Sequence, residues 1–239
     1  MASKMWSAVS LIMELNPRRR RKVLLVTFGL ILIAIILALI APEEKTLGSY
    51  IRLIYVHAAV MWVGMLMLIL SGLLALLSIV RALLSRRPKN PLAKDALVDW
   101  SSASQLTAIH FWLASISIGS IAAYLTWGSH FWSMEPRLHV TLFILILSFA
   151  IHKLGQMVSD KLMRGVLNLS LPVSAILLLT ATGKLVHPNS AFARSDSFEI
   201  KLFAGIITLV FIIVAVSSTM LFSAKLRGRR AEVGIAGQE

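Results

Sequence analysis

Two imidazoles far apart in the chain, His57 and His187, are the side chains best suited to metal chemistry. Imidazole is a good ligand for iron, and two of them on opposite sides hold a haem iron without any thiolate. The chain contains no cysteine, which excludes a disulfide framework, a thiolate metal site and the C-x-x-C-H attachment of a covalent haem. Between the two histidines lies an aromatic run, Trp127-Gly128-Ser129-His130-Phe131-Trp132-Ser133-Met134-Glu135-Pro136-Arg137. Its indole and phenyl faces suit packing against a flat conjugated ring, and Gly128 suits a tight turn. Arg137, Arg52, Lys184 and Arg194 are cations able to pair with carboxylates. Small Ala58 and Ala59 after His57 would let a flat object approach the helix.

Each of these residues also has a plainer reading. Trp at the end of a span is commonly an interfacial belt residue, and a boundary His or Arg is commonly just solvated. His130 and His139 compete as ligands: His139, two residues after Arg137, can cap the site, and His130 lies inside the aromatic run. His110 reads as a cross-bundle hydrogen-bonding residue and His152 as structural.

Positioning these groups falls to apolar helices. Of 239 residues 57% are apolar and 15% charged, and the mean hydropathy is +0.81, far from the balance of soluble domains. A helix needs roughly 20 apolar residues to cross the hydrocarbon core. Six segments meet that length: 23–40, 55–80, 102–124, 139–158, 166–182 and 200–222, none containing Asp or Glu. The fourth is the weakest, because it contains His152 and Lys153. The net charge of +13 is carried by clusters beside the spans, which fits anionic lipid head groups and argues against nucleic acid. With the N-terminus inside, 18 of the 24 Lys and Arg fall on the inner side, a clear positive-inside asymmetry.

The expected fold is therefore an all-α integral membrane protein, a bundle of six transmembrane helices with both termini cytoplasmic. Residues 1–22 form a lead-in whose Trp6, Val9, Leu11, Ile12 and Leu15 can share one face of an interfacial helix. The membrane domain is 23–224, with outer loops at 41–57, 125–139 and 183–200, and 225–239 is a disordered cytoplasmic tail. The first span is too long for a signal-peptide core and lacks a cleavage site, so it reads as a retained anchor. Residues 85–99 read as an inner connector.

The aromatic run resembles the tryptophan-rich (WWD) signature of the cytochrome c assembly (CcmC/CcsA) superfamily. Trp127-Gly128 matches its opening and Trp132-Ser133-Met134-Glu135-Pro136-Arg137 its closing stretch, with Met134 in place of Trp and Glu135 in place of Asp. The six spans and the Tyr55-x-His57-x-Ala59 context resemble the CcmC-type haem-handling branch. That resemblance implies non-covalent haem b held at the outer face, with His57 and His187 as iron ligands. Trp127, Gly128, Trp132, Glu135, Pro136, Arg137 and His139 would surround it. It also implies a cell-membrane location, a membrane-anchored haem chaperone and the subunits of an ABC transporter as partners. No nucleophile and general-base pair is evident, so delivery rather than catalysis is expected. Two alternatives remain: a synthase-type protein that ligates haem to apocytochrome, and a membrane anchor or transport subunit whose outer histidines are incidental.

Overall fold

Within a bilayer a helix satisfies its own backbone polar groups, so long runs of Leu, Ile, Val and Ala fold as continuous helices. A computed structural model, which describes residues 17–84, 91–128, 135–183 and 195–236, has six of them. They are α1 (Pro17–Ile40), α2 (Ile51–Leu84), α3 (Pro91–Trp127), α4 (Pro136–Met157), α5 (Lys161–Ala181) and α6 (Phe198–Ala236). Each contains a stretch long and apolar enough to cross a membrane. The chain is an all-α, multi-pass membrane protein. Successive helices alternate in direction, so the ends of α1, α3 and α5 meet the starts of α2, α4 and α6 at one end of the bundle. The charge asymmetry makes that end the outer one.

The central pair is α2 and α3; α5 and α6 pack on both, α4 packs on α3 and α5, and α1 lies against α6 and α2. Notches hold the central helices together. A Cβ at Gly64 of α2 would stand 2.5 Å from Trp112 Cδ1 of α3, so the indole occupies the space a side chain would take. A Cβ at Gly72 would stand 2.7 Å from Pro172 Cγ of α5. Such close approach replaces the hydrophobic effect, which gives helices no reason to associate within lipid. Deeper along the same seam, Ser71 Oγ donates to the Ser101 carbonyl and Ser101 Oγ to the Ser71 carbonyl, both at 2.8 Å.

The inner half of the bundle carries a belt of buried polar side chains. Asn168 Nδ2 donates to Ser101 Oγ at 3.0 Å and to Ser102 Oγ at 2.9 Å. The hydroxyls of Thr107 and Thr219 lie 2.8 Å apart and tie α3 to α6. His152 Nδ1 donates to Gln105 Oε1 at 3.2 Å, and Gln156 Nε2 donates to His152 Nε2 at 2.8 Å. The histidine that weakened the fourth span in the sequence is thus buried and satisfied at both nitrogens, which is how a polar residue is accommodated in a membrane helix. The helix ends are secured as well: Asp160 Oδ1 accepts from Met163 N at 2.7 Å at the start of α5, and Arg164 Nη2 donates to the Val158 carbonyl at 2.8 Å at the end of α4.

Three expectations are revised. The connector at 85–99 is partly helix, because α3 starts at Pro91; proline is tolerated in a first turn, and the Leu, Ala and Lys that follow favour helix. This carries Asp99 into the bundle at 2% exposure, so a carboxylate does lie within a membrane-crossing helix. The tail is not disordered from its start, since α6 runs to Ala236 through strong helix formers. The expected interfacial face from Trp6 to Leu15 lies outside the described residues.

Candidate functional site

His57 is the seventh residue of α2 and is half-buried at the outer end of the bundle. Its ring packs closely on α3, where a Cβ added to Gly119 would stand 2.6 Å from Nδ1 and 2.5 Å from Cε1. Nδ1 sits 2.9 Å from the Ser115 carbonyl and 3.3 Å from Ser115 Oγ. A carbonyl can only accept, so Nδ1 bears the proton and Nε2 is the basic nitrogen of the ring. The same device orients metal-ligating histidines, where a backbone carbonyl holds one nitrogen and fixes the lone pair of the other. Ser115 and Gly119 carry no chemistry by residue type, and the sequence drew no attention to them. The available signal was the small-residue spacing Ser115-x-x-x-Gly119 within a span, which marks a close helix approach.

Ala58 and Ala59 do not lie beside His57. At 100° per residue Ala58 lies about a quarter turn and Ala59 just over half a turn from His57, and with Tyr55 and Trp62 both line a groove shared with α6. A flat molecule seated on Ala59 would therefore face away from His57.

The aromatic run is anchored at both feet. Gly128 has φ +79° and its N–H donates to the Tyr124 carbonyl at 3.0 Å, the left-handed glycine stop that ends many helices. At the other foot Glu135 is 1% exposed and is the N-cap of α4, accepting from Arg137 N at 3.2 Å. Pro136 follows at the first helical position, where its missing N–H costs nothing. Arg137 is half-buried and turns inward, with Nη2 donating to the Leu179 carbonyl in the last turn of α5 at 3.5 Å. Its Nε is buried and has no hydrogen-bond partner among the described residues. His139 is exposed. The side chain of Trp127 and the whole of His130, Trp132, Lys184, His187 and Arg194 lie outside the described residues.

The preceding outer loop is organised independently. Glu44 accepts from the N–H groups of Leu47 at 2.9 Å and Thr46 at 2.8 Å. The Leu47 N–H, then that of Thr46, hold its carboxyl below the usual carboxylate value. Arg52 pairs with Glu43 at 3.5 Å and donates from Nε to the Ala41 carbonyl at 3.4 Å. Tyr55 Oη donates to the Pro42 carbonyl at 3.3 Å. Arg52 is thus engaged within its own loop.

Among the described residues no three His, Asp or Glu side chains converge to hold a metal ion. The residues present nevertheless fit a group with an iron centre and acidic side arms: His57 offers an oriented imidazole, and Arg137 a buried guanidinium N–H with no acceptor among the described residues. No family model and no curated protein matches the chain. The assembly-family reading therefore rests on the residues of the aromatic run and its surroundings.

Proposed function

We propose that this protein holds haem b non-covalently at the outer face of the cell membrane and passes it on during cytochrome c maturation. The observation that carries the reading is the anchoring of His57: the Ser115 carbonyl and the Gly119 seat fix which ring nitrogen is basic and how it is aimed. Haem iron would supply reversible binding to imidazole whose strength depends on oxidation state.

In this reading the chain's own residues do four things. His57 and His187, 130 residues apart in the sequence, would ligate the iron. Arg137 offers its inward guanidinium N–H to a carboxylate. Gly128 and Glu135 hold the two feet of the aromatic run, whose sequence includes Trp127 and Trp132. His139, exposed at the start of α4, lies where a departing ligand or an incoming partner would be met. Delivery needs no covalent step, and the recipient is a membrane-anchored haem chaperone that an ABC transporter complex then releases.

The test is the visible spectrum of protein purified in mild detergent from cells grown with ample haem, with and without dithionite. The expected result is a haem spectrum that His57→Ala and His187→Ala each abolish or shift. A colourless wild-type protein, or unchanged spectra in both variants, overturns the proposal.

A further inference from the structure

The groove between α2 and α6 serves no part of the His57 site, and it is a substantial feature, with a volume of about 560 Å³. Its α2 wall is Tyr55, Ala58, Ala59 and Trp62; its α6 wall runs from Lys201 through Ala204, Gly205 and Thr208 to Ile212. The walls are apolar in effect as well as in composition, since Thr208 Oγ1 donates to the Ala204 carbonyl of its own helix at 2.7 Å. Among the described residues Lys201 is the one charged lining residue, and it sits in the first turn of α6 at the outer rim.

Length decides what fits. From Lys201 to Ile212 the α6 wall rises about 16 Å at 1.5 Å per residue, close to half of a hydrocarbon core roughly 30 Å thick. The groove thus begins at the outer head-group level and ends near the midplane. A transmembrane helix of a partner would need a seam through both leaflets. A lipid tail needs only one, and its head group would stand at the cation. Charge complementarity then selects an anionic head.

We infer that the α2–α6 groove is a binding site for one anionic phospholipid of the outer leaflet, with an acyl chain along Ala58, Ala59 and Gly205 and the head group at Lys201. The site is independent of haem binding. It would fix the relative position of α2, which carries His57, and α6, which opens behind the last outer loop.

The groove can be closed without disturbing the fold. A Cβ at Gly205 meets nothing within 4 Å, so Gly205→Phe fills the space that a chain would occupy. The experiment uses full-length protein in nanodiscs of phosphatidylcholine containing a small fraction of phosphatidylglycerol with a photoreactive acyl chain, and maps crosslinks by mass spectrometry. Crosslinks are expected on peptides spanning 55–62 and 201–212. Lys201→Glu should lower their yield about fivefold or more, in line with roughly 1 kcal/mol per basic residue at an anionic surface. Gly205→Phe should remove them while the helical circular dichroism is retained. A photoreactive phosphatidylcholine that labels the groove equally well overturns the inference. So does labelling unchanged in both variants, or a stoichiometric polypeptide crosslinked there in native membranes.

Discussion

At the outer end of the α2–α3 seam one histidine is oriented by the Ser115 backbone carbonyl and a glycine seat; in the inner half another is held at both ring nitrogens by glutamines. His57 leans on Ser115 and Gly119, whereas His152 lies between Gln105 and Gln156. The outer arrangement fixes a tautomer with backbone, which does not rotate or titrate. The inner one spends the imidazole on crosslinking α3 to its neighbour, inside a belt completed by Asn168, Ser101, Ser102 and the Thr107–Thr219 pair. The same residue type is thus oriented by backbone in one half and by side chains in the other.

The sharpest way to break this contrast uses two glycines. Gly119→Ala forces a Cβ to 2.5 Å from the His57 ring, so the ring must move. The expected cost is about 1–3 kcal/mol of stability, together with loss or displacement of the haem spectrum. Gly155→Ala, facing the inner belt, meets Arg164 Cγ and Asn168 Oδ1 only at 3.8 Å. It should be neutral or stabilising by about 0.5–1 kcal/mol, the helix preference for alanine. Thermal melts in detergent alongside visible spectra read both; equal costs at the two sites would erase the distinction.

Next in size is the belt itself. Asn168→Leu removes two hydrogen bonds and leaves their serines short of a donor, with an expected loss of about 1–2 kcal/mol and no change in the spectrum. A spectral change would mean that the inner belt reaches the outer site. Glu135→Ala removes the α4 cap and should cost about 1 kcal/mol, while Glu135→Asp keeps most of it because aspartate caps as well. If the alanine variant melts like wild type, Glu135 acts on a ligand rather than on its helix.

The smallest effect concerns the loop before α2. Glu44 is depressed by its hydrogen bonds to Leu47 and Thr46 N–H, so its contribution to the turn is present above the usual value of 4.5 and is lost as pH falls through the lowered one. The Thr46 and Leu47 amide shifts in a detergent NMR spectrum should titrate together with a midpoint below 4.5. A midpoint at or above that value would contradict the assignment.

Hydropathy made the six spans legible because crossing a membrane is a property of composition, visible in each segment alone. Helix ends were not legible in the same way. Pro91 and the run to Ala236 lie outside the apolar windows, where local propensity rather than hydrocarbon sets the boundary. His57 stood out by type and position, yet its anchor did not, since Ser115 and Gly119 act through backbone and through absence of a side chain. Glu135-Pro136-Arg137 reads as a candidate ligand contact, and Glu followed by Pro is also a helix-start pattern; burial and the bond to Arg137 N show the helix start. Ala58 and Ala59 show the reverse: neighbours of His57 along the chain, they line the groove toward α6 rather than the seat on α3.

The packing of α1 mainly against α6 has a consequence for how the bundle closes. Two helices far apart in the chain are neighbours in space, so α1 gains its main support only once α6 is in place. A chain stopped before α6 would keep the α2–α3 pair but lose most of what holds α1, together with one wall of the outer groove.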